Sequence, residues 1–373
     1  MTDILPFLKE LISAPGLSGY EDPASRIIEK KWRPLVDEIS RGKLGSLHGL
    51  RRASLPLGTG ASPGTGSSPA PSVMIATHMD AIGLMVTGIV DGFLRITQVG
   101  GIDVRVLPGQ PVSIHPTGAD PAEAEAQEPL PGVVVQPPSR LLPDEVEAGP
   151  LPLEYLLVDT GLPARKVAGL VHVGDVVSFA QPPLELSGET LAGHTLDNRA
   201  SVAALTVCLE ELQSRPHAWD VWAVASTQEE VGAKGAFTSA FEIHPTIAIA
   251  VDVTWAKGPG TSDWSAFPLG KGPTITMGPN IHPALHKAMQ AVAEKLEIPH
   301  ALEYTPTHSG TDGYATQVTA EGIPTLVLGL PLRYMHTPVE VVAIKDIQRL
   351  GRLLAAFISG LGPDFMDKIV WDD

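Results

Sequence analysis

The sequence predicts an α/β fold with a small β domain inserted in it, and three patterns in its 373 residues support this. After about residue 184, apolar strand-like runs alternate with helical patterns, as in a layered α/β domain. Helical patterns and a buried strand also precede residue 80. From about residue 81 to 183, short strand-like runs alternate with turn residues, and no long helical pattern interrupts them. We therefore expect residues 1–80 and 184–373 to form one discontinuous domain, and residues 81–183 to form the inserted domain.

The N-terminal region is predicted to begin with two helices. Ile4, Leu8 and Leu11 recur at helical spacing. A second helical pattern runs from about Ala24 to Trp32, after a break rich in Pro, Gly and Ser. The following stretch, from Ser54 to Ser72, consists mainly of small residues and proline, so it cannot bury much apolar surface. We expect a surface loop there, followed by a short buried strand in VMIATHMD.

The inserted region has the texture of a small β domain. Its strand candidates include FLRITQV, QPVSIH, PGVVVQ, LLVDT and DVVSFA. Turn residues such as Pro, Gly and Asp separate these runs, which is typical of short antiparallel strands. A further segment, PTGADPAEAEAQEPLP, is predicted to be an exposed loop because of its charge and its Ala and Pro content.

Composition narrows the possible functions. The formal charge of −16 and the pI near 5.1 argue against a nucleic-acid partner, which would need clustered Lys and Arg. The single cysteine, Cys208, excludes an internal disulfide and a thiolate-rich zinc site, so a metal would have to be held by His and carboxylates. The N-terminus does not resemble a secretion signal, and no run reaches the roughly 20 apolar residues that a membrane span requires. We expect a cytoplasmic enzyme that does not associate with membranes.

Polar residues collect where the predicted α/β strands end or a predicted helix begins. This set consists of His78, Asp80, Asp197, Glu229, Glu230, Asp252 and His336. Each has an ordinary alternative: Asp197 could cap its helix, Asp252 could form an Asx turn, and the doubled acid could lie in a solvated turn. The set as a whole favours function, because the carboxyl ends of strands in an open α/β sheet form the edge where ligands bind.

The chemistry of this set suits a pair of divalent ions. Zinc and cobalt accept imidazole and carboxylate ligands together, and one carboxylate can bridge two ions because it has two oxygens. In the sequence His78-x-Asp80 both side chains lie on the same face of an extended segment. Asp80 could therefore accept the second imidazole proton and fix the tautomer of His78.

Several motifs carry a family resemblance that spans nearly the whole chain. They are THMDAIGLMV, TLDNRASVAAL, TQEEVGAKGA, VDVTW, SGTDGYATQ and PLRYMHTPVEVV, in this order. Together they resemble the M42 family of metallo-aminopeptidases, which includes the tetrahedral and the glutamyl aminopeptidases. The resemblance implies a mixed-sheet α/β/α metallopeptidase domain of the phosphorylase/hydrolase-like kind. It also implies that the inserted region is a β-barrel-like dimerisation domain.

The resemblance also implies a role for each site residue. His78 and Asp252 would bind one zinc or cobalt ion, Glu230 and His336 the other, and Asp197 would bridge both. Glu229 would act as general base on a metal-bridging water, and Asp80 would orient His78. The substrates would be peptides cleaved after their first residue. Homo-oligomers, with dimers assembled into a tetrahedral dodecamer, would be expected.

Three alternatives stay open on the residues alone. A related two-metal carboxypeptidase or deacylase would share the same ligands. An endoglucanase would need two carboxyl groups placed on either side of a sugar bond, which neighbouring Glu229 and Glu230 are poorly placed to provide. A non-catalytic assembly protein of the same fold would be expected to lack some of these residues. In SGTDGYATQ, Gly313 stands where relatives often have Ala, so we expect Asp312 to be part of a structural turn. The preferred N-terminal residue of the substrate cannot be inferred from the sequence.

Overall fold

The computed structural model describes residues 3–55, 70–116, 128–142, 151–261, 264–362 and 364–369. Most of the predicted loop between Ser54 and Ser72, and most of the predicted loop PTGADPAEAEAQEPLP, lie outside these residues. Within the described ranges, no helix is both long and apolar enough to cross a membrane.

The described helices of more than one turn are α1 (Leu5–Ser13), α2 (Asp22–Trp32), α3 (Ala164–Leu170), α4 (Leu196–Leu212), α5 (Lys234–Ile243), α6 (Pro283–Lys295), α7 (Asp312–Gln317) and α8 (Ile344–Ser359). The strands up to the end of the inserted region are β1 (Glu38–Arg41), β2 (Leu47–Arg51), β3 (Ser72–His78), β4 (Gly83–Val90), β5 (Phe93–Val99), β6 (Pro111–His115), β7 (Leu130–Val135), β8 (Leu157–Asp159) and β9 (Val176–Phe179). The later strands are β10 (Leu184–Leu186), β11 (Thr190–Gly193), β12 (Asp220–Ser226), β13 (Ile247–Trp255), β14 (Thr274–Met277), β15 (Ala301–Tyr304), β16 (Thr325–Arg333) and β17 (Glu340–Ala343).

The described strands form a large mixed sheet and a closed barrel, which confirms the predicted α/β class. The main path of the sheet has the order β1-β2-β12-β3-β13-β16-β17-β11-β10, with β14 and β15 attached beside β16. Its centre is parallel, because β3 pairs in parallel with both β12 and β13, and β13 pairs in parallel with β16. The barrel has the order β4-β5-β8-β7-β6-β9, and its first and last strands in the sequence are Gly83–Val90 and Val176–Phe179.

The sheet has its main apolar core on the face that α4 and α8 cover. Strand β3 is buried along its whole length, and so are all but the last residue of β13 and of β16. Strands covered on both faces are nearly continuous apolar runs, as parallel strands in α/β folds usually are. Helix α1 buries Phe7, Leu8, Leu11 and Ile12 in the same core, at the spacing that predicted it. This packing fixes the strand ends from which the polar set projects.

The barrel has a separate apolar core, built from inward-facing residues such as Leu84, Val112 and Val158. Strands β5 to β9 match the predicted runs to within one residue at either end, whereas β4 was not among them. The alternation of buried and exposed positions that marks such strands is clearest in β5. The short helix α3 between β8 and β9 was not predicted, although it buries Val167 in this core.

Candidate metal centre and active site

The candidate site lies at the carboxyl ends of the central parallel strands. His78 is the last residue of β3 and stands level with Ser226, the last residue of β12. Glu229 and Glu230 follow β12 by a few residues, and His336 lies in the turn after β16. Because parallel strands end at the same edge, residues far apart in the sequence meet here.

Asp252 was expected to follow a strand, and this expectation was wrong. Strand β13 continues to Trp255, so Asp252 lies inside it. Pairing between β13 and β3 stops at Ala250, opposite Ala76. The edge of β13 that faces β3 is therefore open beyond this point, and the carboxyl group of Asp252 reaches His78.

Asp197 lies where the chain enters α4, but a helix-capping role does not describe it. It has extended dihedral angles, with φ −78° and ψ 105°, and the residue before the helix is Thr195. Its two carboxylate oxygens point to two different imidazoles: Oδ1 lies 3.2 Å from His78 Nε2, and Oδ2 lies 3.4 Å from His336 Nε2. This is the geometry expected of a carboxylate shared between two sites.

Two groups of three ligand-type side chains result, and they share Asp197. The first triad is His78, Asp197 and Asp252; the second triad is Asp197, Glu230 and His336. Within each triad one ligand atom per residue lies within 4.8 Å of the others. His78 Nε2 is 3.6 Å from Asp252 Oδ1, and His336 Nε2 is 3.6 Å from Glu230 Oε2.

The electrostatics of the first triad are those of buried acids facing imidazoles. Burial opposes charge on His78, but its carboxylate neighbours, Asp252 foremost, raise its pKa well above the ordinary value. Burial likewise opposes ionisation of Asp197, yet contacts with His336 and His78 lower its pKa below the ordinary value. In this geometry the imidazole of His78 therefore favours the protonated form that balances the neighbouring acids.

Asp80 supports the site more widely than was predicted. His78 Nδ1 lies 3.2 Å from the backbone carbonyl of Asp80 and 3.5 Å from its Oδ1. The same carboxylate accepts the backbone N–H of Glu229 at 2.9 Å, the N–H of Glu230 at 3.2 Å and the hydroxyl of Ser18 at 2.6 Å. Asp80 thus fixes the loop that carries both acids, in addition to contacting His78.

Glu229 and Glu230 differ in their surroundings. Burial raises the pKa of Glu229 to about 9, and the nearby Asp252, Asp312 and Asp80 act in the same direction. Burial, followed by the charge of Asp197, raises the pKa of Glu230 well above its ordinary value. Glu230 Oε1 is buried and has no hydrogen-bond partner among the described residues. A cation at the second triad would relieve both conditions.

The barrel also contributes to the site, which the sequence did not indicate. The turn after β5 contains Gly100 and Gly101. A Cβ atom at Gly100 would lie 3.4 Å from Glu230 Oε2, and one at Gly101 would lie 3.3 Å from His336 Nδ1. This close approach of a barrel turn to the second triad requires residues without side chains.

Two further buried charged residues support the site and were not singled out from the sequence. Arg199, in α4, is wholly buried and donates to the backbone carbonyls of Met79, Leu11, Ala14 and Gly16, which anchors the N-terminal segment beside β3. Glu340 accepts two backbone N–H groups next to the second triad. No local sequence pattern indicates that an ionisable residue is buried, so the sequence contained no signal for Arg199 or Glu340.

Asp312 is buried, and it starts α7 rather than lying in a turn. Its carboxylate accepts a hydrogen bond from Ser226, and burial raises its pKa to about 7. Asp312 is not a member of either triad. Asp312 therefore supports the site indirectly, by accepting a hydrogen bond from the last residue of β12.

Comparison with known proteins identifies the class of this protein. The sequence profile of the M42 glutamyl aminopeptidase family matches residues 60–353. The lysyl aminopeptidase of Pyrococcus furiosus is 34% identical over 360 residues, covering 95% of this chain and 97% of the relative. The archaeal aminopeptidase APDkam598 of Desulfurococcus kamchatkensis superposes with a TM-score of 0.85 at 30% identity, covering 99% of this chain and 98% of that chain.

A third comparison involves the TET1 peptidase of Pyrococcus horikoshii, which can assemble into a tetrahedron or a large octahedral shell. It has a TM-score of 0.79 and 28% identity, covering 96% of this chain and 100% of that chain. The fold and these relatives define a peptidase of the aminopeptidase class. The chain belongs to the M42 peptidase family. Membership in this metallopeptidase family implies divalent metal ions, in keeping with the two triads.

Proposed function

We propose that this aminopeptidase works with two divalent ions, zinc or cobalt. His78 and Asp252 would hold one ion, Glu230 and His336 the other, and Asp197 would bridge them. The observation that carries this proposal is the pair of triads sharing Asp197. A single carboxylate facing two imidazoles, with another carboxylate beside each of them, supplies ligands for two ions.

The donor set fits such ions. Imidazole nitrogens and carboxylate oxygens together are ligands that borderline metals accept. Burial raises the pKa values of Glu230 and Asp252, which leaves both acids short of the positive charge that would favour their ionised form. Bound cations would remove this shortage, because a metal is the largest charge in such a site and favours the ionised carboxylate.

When bound, the ions would lower the pKa of a water molecule and polarise the scissile carbonyl group. Glu229 would act as the general base, taking a proton from the attacking water and passing one to the leaving amine. Burial raises the pKa of Glu229 to about 9 in the metal-free protein. Bound cations would lower this pKa and leave the carboxylate ionised, as a general base must be. Asp80 would set the position of Glu229, because it accepts the backbone N–H of that residue.

We further propose that the barrel mediates dimerisation and that dimers assemble into a tetrahedral dodecamer. The similarity to TET1 supports this, since that peptidase forms tetrahedral or octahedral shells. The division into residues 1–80 with 184–373 and residues 81–183 follows the separate apolar cores of sheet and barrel. Light scattering should give twelve times the subunit mass of 39.3 kDa. A monomer at working concentration would contradict the proposal.

A substrate panel tests the activity. Aminoacyl chromogenic amides and their N-acetylated forms would be assayed as purified, after chelation, and after zinc or cobalt is restored. Free amines should be cleaved only with metal, and N-acetylated controls should resist cleavage. The lysyl amide belongs in the panel because a relative is a lysyl aminopeptidase. Equal cleavage of N-acetylated substrates would instead indicate a deacylase or another peptidase specificity.

A variant tests the general base. In E229Q the amide cannot accept the proton, so kcat should fall by roughly 100- to 10,000-fold. Both metals should remain, since Glu229 is not in either triad. Activity and metal content would be measured on the same sample. Normal turnover by E229Q would refute the assigned role.

A further inference from the structure

Glu340 is a buried acid next to the candidate site that the mechanism does not use. It is the first residue of β17 and pairs with Gly193, the last residue of β11. Its exposed fraction is 1%. The chain passes from Gly193 directly into the segment that carries Asp197, so the side chain of Glu340 lies beside this segment.

The two carboxylate oxygens of Glu340 bind two different parts of the chain. Oε2 accepts the backbone N–H of Asp197 at 3.0 Å, and Oε1 accepts the backbone N–H of His336 at 3.2 Å. These two residues belong to the second triad, and they lie far apart in the sequence. Glu340 therefore connects their backbones through one rigid group.

His336 needs such an anchor more than the other residues of the triads do. Its side chain is 40% exposed, whereas that of Asp197 is 7% exposed. Packing therefore does little to hold the imidazole in place. The backbone of His336 also has a positive φ of 62°, which is uncommon for a residue with a side chain. A hydrogen bond to its N–H stabilises this conformation.

We infer that Glu340 is a positioning residue that sets the distance between Asp197 and His336 and thereby forms the second metal site. This inference rests on the proposed paired-metal function. Residues that orient metal ligands affect metal affinity without touching the ion. Loss of Glu340 should therefore affect the second site more than the first, because Asp197 belongs to both triads whereas His336 belongs to the second alone.

Only a carboxylate of this length satisfies both loops. Glutamine has one acceptor oxygen, so its NH2 group would face one of the two N–H donors. A buried donor left without an acceptor costs roughly 1–3 kcal/mol in proteins. Aspartate keeps both oxygens but is one methylene shorter. Neither E340Q nor E340D should hold both backbones in place.

Asp346 offers a matched control. It is also fully buried, and it accepts the backbone N–H of Gly270 at 2.6 Å and that of Gly272 at 2.8 Å. It lies outside both triads. The variant D346N therefore removes the same type of double contact, and in addition a contact with Arg349, at a place that is not next to the metal ligands.

The experiment is a titration of metal-free enzyme with cobalt, followed by its visible absorption, together with kcat and KM for an aminoacyl amide. Wild type and D346N should each bind two equivalents. E340Q and E340D should bind the first equivalent with a much smaller loss of affinity than the second, which they should bind about 10- to 100-fold more weakly than wild type does. Their kcat should fall while KM stays near the wild-type value, because Glu340 is buried and its side chain is not accessible from solvent.

The outcomes separate the inference from the proposed function. Wild type that binds fewer than two equivalents overturns the paired-metal proposal, and this inference with it. Normal two-site binding by E340Q and E340D overturns the inference alone, as does an equal loss of the second equivalent in D346N. If only E340D folds, its titration decides. If neither Glu340 variant folds under conditions in which D346N does, the role of Glu340 is in folding, and the inference is wrong.

Discussion

The contact between the barrel turn and the second triad gives a prediction that the structure quantifies. Gly100 has φ +77°, and a Cβ atom there would lie 2.8 Å from Ile82 Cγ2 and 3.4 Å from Glu230 Oε2. Gly109, in the same barrel, has φ +84° but nothing within 4 Å of its Cβ position. The substitutions G100A and G109A therefore share the same backbone strain and differ only in the contacts of the added methyl group.

The expected losses of unfolding free energy follow from the backbone strain and from the contacts of the added methyl group. An L-residue at such a positive φ costs about 1–2 kcal/mol, which is the expected loss of unfolding free energy for G109A. Overpacking a filled space adds about 1–3 kcal/mol, so G100A should lose roughly 2–5 kcal/mol in total. In G100A the methyl group would lie 2.8 Å from Ile82 Cγ2 and 3.3 Å from Glu230 Cβ, so the turn and its neighbours, Glu230 among them, must shift. A ligand displaced by a few tenths of an ångström should lower kcat by about tenfold, since a displacement of about 1 Å can cost 100-fold.

Urea unfolding would measure the stabilities, and kcat and metal content would be measured on the folded, metal-loaded variants. G109A should unfold earlier and yet turn over normally. G101A adds a control without a positive φ: its Cβ atom would lie 3.3 Å from His336 Nδ1, so activity should fall with little loss of stability. The reasoning would be refuted if G100A and G101A both retained the kcat and the metal content of G109A.

Two further predictions concern buried acids. Burial raises the pKa of Glu230 well above its ordinary value, so E230Q should cost the metal-free protein little and should melt close to the wild type in chelator. When cobalt is added, the melting temperature of E230Q should rise less than that of the wild type, because one ligand is lost. Scanning fluorimetry with and without cobalt would check this, and equal rises would contradict the ligand role. Burial also raises the pKa of Glu21 from 4.5 to about 7. Between these two values the folded state binds a proton that the unfolded state releases. The resulting stabilisation of the folded state is fully present below pH about 4.5 and is lost as the pH rises to about 7. At about 1.4 kcal/mol per pH unit, the free energy of unfolding should fall by about 3 kcal/mol. Urea unfolding of the metal-free protein at pH 5 and pH 8 should show this fall in wild type but less of it in E21Q, and an identical fall in both would exclude Glu21 as its source.

The barrel shows how far local sequence patterns reach. Strand β5 was predicted as FLRITQV and runs over Phe93–Val99, because its side chains alternate between the barrel core and the outside. Alternation and turn residues are local properties, and the sequence displays them directly. The order β4-β5-β8-β7-β6-β9 depends on pairing between strands that are far apart in the sequence, and no local pattern reveals it.

Asp252 and Asp80 show where local reasoning stops. The acid in TIAIAVDVTW looked like the end of a strand, since polar residues usually end buried runs. Its strand continues because β16 still pairs with it after β3 has ended. Likewise, the short spacing of His78 and Asp80 predicted their contact. The hydrogen bonds that Asp80 accepts from the backbone N–H groups of Glu229 and Glu230 depend instead on β3 and β12 lying side by side.

The sequence by itself determined the α/β class, the barrel strands and the residue types available for a site without thiolates, because each depends on composition or short-range periodicity. The tertiary structure alone decided which of these residues meet: that Asp197 faces two imidazoles, that Gly100 and Gly101 reach the second triad, and that Glu340 joins its backbones. These contacts connect segments from every part of the chain. The physical reason is that burial and pairing across a sheet, and not neighbouring residues in sequence, bring buried charges together.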